Sequence, residues 1–314
     1  MIGDFFMLAG FCLSAYAIVA NDALQTLGTF ISANEDRPWW VLWLYTSFIL
    51  ATIFIAGWYF NRGDVAYGRL AIVPFPETFT WIYIIPPLAI LILTSFGIPV
   101  STTFLILTVF APQALNEMLS KSAWGYLLAI FVGFLLYTII SRWEMFFLET
   151  VGKEQGKVWI ILQWISSGFL WSQWLVQDFA NIFAYLPREL SIEWLLGSLV
   201  VMLSLQAIVF INHGGRIEKI VTDKTNTHDP RSATIINFIY ASLLLFFVSY
   251  NHIPMSTTWV FLGLLGGREI ALTIDRADRS LRETGKIVSI DILKAAIGTG
   301  VSVAIALTLP LLNS

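Results

Sequence analysis

Long apolar stretches separated by short polar loops dominate the chain, and their lengths predict helices that cross a membrane. They fall near 5–34 (interrupted by a polar pair), 39–60, 79–97 running into 98–117, and 123–141. A second set follows near 158–190, 194–212, 233–251 running into 254–272, and 288–312. The two sets match in order and spacing. Ser101 follows Asp22 by 79 positions and Ser256 follows Asp178 by 78, so the polar landmarks recur at offsets of 156 and 155 in a chain of 314 residues. Each set holds three simple crossings and one paired segment that crosses twice or dips in and returns. Either way the net number of crossings is odd, which turns the second half upside down relative to the first. The predicted fold is an all-α polytopic membrane protein. It has two inverted-topology repeats, 1–150 and 151–314, with broken or re-entrant helices meeting at a central midplane site.

Composition strengthens the membrane reading. Hydrophobic residues make up 57% and charged residues 12%, against about 25% charged in a soluble globule, and the mean hydropathy is +0.75. Lipid must face much of such a surface, and the 13 Trp, 10 Tyr and 24 Phe suit the headgroup boundary. A net charge of −3 without a long basic run points away from nucleic acid. The single cysteine, Cys12, excludes an intramolecular disulfide and a cysteine metal cluster. The N-terminus lacks a basic n-region, so the first apolar segment is expected to be kept.

Lys and Arg in the loops set the expected orientation. One face collects twelve: Arg37, Arg142, Lys153, Lys157, Arg216, Lys219, Lys224, Arg231, Arg276, Arg279, Arg282 and Lys286. The other has four, Arg62, Arg69, Lys121 and Arg188. The richer face is expected in the cytoplasm of a plasma (inner) membrane, with both termini extracytoplasmic.

Two constellations carry chemistry. Asn21, Asp22 and Gln25 lie inside the first apolar segment, and Gln177, Asp178 and Asn181 inside its counterpart, each with an aspartate and a second amide at i, i+3. A buried aspartate costs several kcal/mol unless paired, protonated or bound to a cation. Neither segment offers a local Lys or Arg partner. Hard oxygens of this kind suit a small hard cation or carry a proton; the plainer reading is carboxylates that cap helix breaks or face a wet vestibule. The second constellation is Pro99-Val100-Ser101-Thr102-Thr103, mirrored by Pro254-Met255-Ser256-Thr257-Thr258. Proline disfavours helix just before it, and serine then caps the helix that follows. Each such start offers unsatisfied amides, a partial positive charge and three hydroxyls, which is a site for a tetrahedral oxyanion. Two ordinary proline-started helices would explain the capping but not the duplication with Ser-Thr-Thr kept.

The pairing of a G-A-N-D-x-x-N-like element with P-V-S-T-T, once in each half, resembles the inorganic phosphate transporter (PiT) family of cation-coupled carriers, over nearly the whole chain. The resemblance implies that Asn21, Asp22, Gln25, Gln177, Asp178 and Asn181 bind coupling cations, with sodium at Asp22 and Asp178 as the only metal. It likewise implies that Ser101, Thr102, Thr103, Ser256, Thr257 and Thr258 hold the anion. The chain departs from the family pattern. Val19 and Leu175 replace a leading glycine, and Gln25 and Gln177 replace asparagines. Phe104 and Trp259 stand where a histidine often follows Ser-Thr-Thr, and Ala184 replaces a glycine. This marks a divergent, bacterial-type member. The expected function is sodium- or proton-coupled transport of inorganic phosphate by alternating access, without a cofactor. The alternatives are carriage of another oxyanion such as sulfate, or a non-transporting or channel-like protein of the same fold. A homodimer is compatible with the resemblance, and no segment marks an interface.

Smaller signals add little. Arg268 and Glu269 read as an interfacial ion pair, with a gate as the alternative, and His252 either packs or titrates near the second break. Pro86-Pro87 predicts a kink or late start in the third span. No nucleotide-binding loop, zinc motif or nucleophilic triad occurs, which points away from an enzyme.

Overall fold

The computed structural model describes residues 2–96, 98, 100–149, 157–212, 230–250, 252–276 and 281–309. Within these, the side chains at 22–25, 141, 142, 144, 145, 147, 148, 275, 276, 281–284, 287, 288, 291, 295 and 306 lie outside the described residues. Ten α-helices occur among the described residues. They are α1 (Ile2–Ser32), α2 (Trp39–Phe60), α3 (Ile85–Ser95), α4 (Thr102–Phe110), α5 (Leu115–Glu149), α6 (Lys157–Phe183), α7 (Ile192–Ile211), α8 (Pro230–Tyr250), α9 (Thr257–Arg276) and α10 (Leu281–Thr308). By length and composition five of the described helices can cross a membrane, with windows at Ile2–Asn21, Trp39–Phe60, Pro112–Ile140, Ile192–Ile211 and Pro230–Tyr250. The molecule is an all-helical membrane protein.

Proline places the helix starts. Pro38 is the N-cap of α2, and prolines occupy the first turn of α3, where their missing N–H has no intrahelical acceptor to lose. A 3₁₀ turn over Trp81–Ile84 leads into α3, so Pro86-Pro87 marks the late start expected of it. One expectation is corrected: the first apolar segment is not interrupted. α1 runs through Asn21-Asp22 and α6 through Gln177-Asp178 as continuous helix. Mid-helix amides break a helix when they bond to their own backbone. Here the described ones turn outward, Asn21 to the Val100 carbonyl and Gln177 to the Leu244 carbonyl. The true breaks fall between α3 and α4 and between α8 and α9.

Packing pairs off across the chain. α5 lies along α9 as α10 lies along α4; α6 packs on α8 as α1 packs on α3; α2 meets α6 as α7 meets α1. The α5–α9 crossing depends on glycine. A Cβ on Gly133 would come within 2.7 Å of the Leu264 carbonyl oxygen, and one on Gly263 within 2.5 Å of the Tyr126 carbonyl oxygen. Such close backbones replace the hydrophobic drive that lipid cannot supply. α6 carries Gln163, Ser166, Ser167, Gln177, Asp178 and Asn181, all buried, because α1, α2 and α8 cover it. Its polarity is turned inward: Gln163 meets Asn34, Ser167 meets Asn237, and Asp178 and Asn181 meet the breaks.

Candidate functional site

Both breaks end in a serine N-cap. The Ser101 hydroxyl oxygen accepts from the Phe104 amide at 3.3 Å, and Ser256 accepts from the Trp259 amide at 3.3 Å, which starts α4 and α9 in the same way. The two breaks are also bonded to each other. The Thr103 hydroxyl donates to the Met255 carbonyl at 3.0 Å, and the Thr258 hydroxyl donates to the Val100 carbonyl at 3.2 Å. Phe104 and Trp259 meet edge to face, with ring centroids 5.7 Å apart. Ser101, Thr102, Thr103, Ser256, Thr257 and Thr258 are each between 1 and 3% exposed, so none faces lipid.

The acid and amides of α6 sit against both breaks. Asp178 is fully buried; its Oδ1 accepts from Asn181 Nδ2, and its Oδ2 accepts from the Thr257 hydroxyl at 3.2 Å. The Asn181 amide also reaches Thr102 Oγ1 at 3.3 Å and Thr103 Oγ1 at 3.2 Å. Asp178 and Asn181 thus join the second-half carboxylate to hydroxyls from both breaks. Two carbonyl oxygens here have no donor, Asn181 Oδ1 and Gln177 Oε1, and both are buried. Buried amide oxygens without donors are rare. Asn181 Oδ1 belongs to the amide that bonds Asp178, and Gln177 Oε1 to the amide that donates to the Leu244 carbonyl. In the first half, Asn21 bridges the end of α3 to the break, donating to the Val100 carbonyl at 3.4 Å and accepting from the Thr94 hydroxyl at 3.0 Å. The side chains of Asp22 and Gln25 lie outside the described residues.

Two residues near the site were read in the sequence as loop charges on the outer face. Both are buried, Arg69 at 1% and Lys121 at 7% exposure. Lys121 Nζ donates to the Ile253 carbonyl at 2.6 Å and the Phe247 carbonyl at 3.4 Å, closing the end of α8. Arg69 reaches the same Ile253 carbonyl through Nη2 at 3.4 Å. Burial pulls its guanidinium down to about 10, against the Asp178 carboxylate, which holds it up, so it stays charged at neutral pH. The segment 61–80 carries it inward by folding tightly. Asp64 accepts from the Ala66 and Gly68 amides at 2.7 and 2.6 Å, Gly63 and Gly68 take positive φ, and Val65, Ala66, Leu70 and Val73 are buried. That run of small and apolar residues was the available signal. Ser122 and Tyr240 also support the second break, through the Ser256 amide at 2.9 Å and the Thr257 carbonyl at 3.0 Å.

Of the remaining signals, Arg268 pairs with Glu269 at 3.1 Å and lies over the Tyr137 ring. It is buried, on α9 where that helix packs against α5. His252 is exposed, beside Gly68. Lys153, Arg216, Lys219, Lys224, Arg279, His213 and His228 lie outside the described residues, as do the side chains of Arg142, Arg276 and Arg282.

The chain matches a structure described as "The sodium-dependent phosphate transporter", with a TM-score of 0.64, over 99% of this chain and 99% of that one. The fold is shared. At 17% identity the likeness speaks for the fold alone. No family model matches the sequence, and no curated protein does.

Proposed function

We propose that the chain is a cation-coupled secondary transporter of inorganic phosphate. Residues 1–150 and 151–314 are its two inverted repeats and work by alternating access. The observation that carries this reading is the pair of hydroxyl-rich helix starts bonded to each other through Thr103 and Thr258, with Asp178 and two donorless amide oxygens alongside. The anion lies between the starts of α4 and α9, held by amides and by Ser101, Thr102, Thr103, Ser256, Thr257 and Thr258. The coupling cation, sodium or a proton, sits at Asp178 with Gln177 and Asn181, and a second at Asp22 with Asn21 and Gln25. The solved phosphate transporter of the same fold supports phosphate as cargo.

The test is uptake of labelled phosphate into proteoliposomes under a sodium gradient, a proton gradient or neither, challenged by sulfate, arsenate and molybdate. Saturable accumulation that follows one gradient is expected. Failure to accumulate phosphate or sulfate under either gradient refutes the proposal.

A further inference from the structure

Two arginines enter the fold from loops, and they use their donors differently. Arg188 donates through Nη1 to the carbonyls of Phe183, Ala184 and Leu186, and through Nη2 to those of Val73 and Pro74. It is a staple between two loops. Arg69 is more deeply buried, yet its one hydrogen bond is the 3.4 Å contact from Nη2 to Ile253, while Nε and Nη1 have no partner. No described carboxylate ion-pairs with it, and both oxygens of Asp178 are already engaged by Asn181 and Thr257. A guanidinium cannot shed its proton to escape burial; the Asp178 charge nearby offsets its own but satisfies none of these donors. A charge held so, three residues before the Ser256 cap, has donors set aside for something else.

We infer that Arg69 is an anion-binding residue of the central site, its open guanidinium edge taking two oxygens of phosphate or a like tetrahedral oxyanion beside the start of α9. This rests on the transporter reading above and adds to it a fixed cation that the serine and threonine set lacks. The planar fork matches two oxygens of one tetrahedral anion, which a lysine does not. The charges also balance: Asp178 faces its coupling cation while Arg69 faces the anion, so the filled site is close to neutral. Tight packing of 61–80 around Asp64 holds the fork in place before the ligand arrives.

The experiment measures binding of labelled phosphate to the purified full chain in detergent at fixed sodium. Arg69→Gln is expected to weaken binding at least tenfold while the sodium-induced rise in melting temperature persists, and Arg69→Lys to recover only part of the affinity. Binding by Arg69→Gln within twofold of the unmodified protein overturns the inference and leaves the transporter reading intact. Absence of phosphate binding in the unmodified protein sinks both. A second measurement does not depend on how the variants fold. Phenylglyoxal modification of the unmodified protein, read residue by residue by mass spectrometry, should be suppressed by phosphate at Arg69 and not at Arg188. Equal modification of Arg69 with and without phosphate also overturns it.

Discussion

Asp178→Asn tests the cation site at its most exposed assumption. The carboxylate is fully buried, accepts from Asn181 and Thr257, and shares α6 with the donorless oxygens of Asn181 and Gln177. At about 4 Å and an effective dielectric near 20, a carboxylate and a monovalent cation attract by about 4 kcal/mol. Losing that costs nearly three decades of affinity at 1.4 kcal/mol per decade. The amide substitute also leaves Arg69 without the nearby negative charge that holds its guanidinium up, so the variant loses stability in every buffer. The informative quantity is therefore a difference, the melting temperature in sodium chloride minus that in choline chloride at equal ionic strength. With sodium at a hundred times its dissociation constant one site contributes about 2.7 kcal/mol, and Asp178→Asn should lose that contribution and keep only what the second site at Asp22 supplies. A variant that keeps the full sodium-induced rise refutes the assignment, whatever its absolute stability.

Other consequences follow from single contacts. Thr258→Val keeps shape but removes one of two donors to the Val100 carbonyl, Asn21 being the other, and should cost about 1 kcal/mol in chemical unfolding. Thr103→Val should cost about 1–3 kcal/mol at Met255, and a double-mutant cycle should show the two coupled, because both bonds join the same pair of breaks. Arg188→Leu removes donors from five carbonyls and should lower unfolding free energy by about 2–3 kcal/mol without altering phosphate affinity in a binding assay. Gly263→Leu drives a side chain into the Tyr126 backbone and should separate α5 from α9, seen as loss of the monodisperse peak in size-exclusion chromatography.

Much of this arrangement was legible in the sequence because its physics is local. Proline followed by serine dictates a break and a capped restart, and both restarts occur where the residues put them. The apolar stretches find the helices, since lipid demands length and apolarity, but α5 runs eight residues beyond 123–141 at each end and α10 starts seven before 288. The continuity of α1 and α6 was not legible. Whether Asn21 or Gln177 bends its own helix depends on an acceptor more than sixty residues away in the chain. Arg69 and Lys121 were misread for the same reason. A charge between two spans looks like a loop charge until the fold brings Ile253 and its carbonyl to meet it. Charge counting treats a loop as solvent, and 61–80 is packed protein.

The contacts between the breaks bear on how such a site would open. In this conformation Thr103 and Thr258 bind the carbonyls of the opposite break, Thr257 binds Asp178, and Asn181 binds Thr102 and Thr103. The hydroxyls that would hold an anion are thus engaged across the junction of the two halves, and all six side chains are nearly inaccessible. Parting the breaks takes the Thr103 donor from the Met255 carbonyl, at a cost of about 1–3 kcal/mol if it is left unsatisfied, while the Val100 carbonyl keeps Asn21. An anion entering between them takes the freed hydroxyls as donors, while water or a cation takes the freed carbonyl. Ligand binding and closure of the breaks therefore compete for the same few groups, and only a partner that replaces most of those bonds can hold the breaks apart. On the function proposed above, an empty site would reclose on its own contacts, as a coupled carrier requires and a continuously open pore does not.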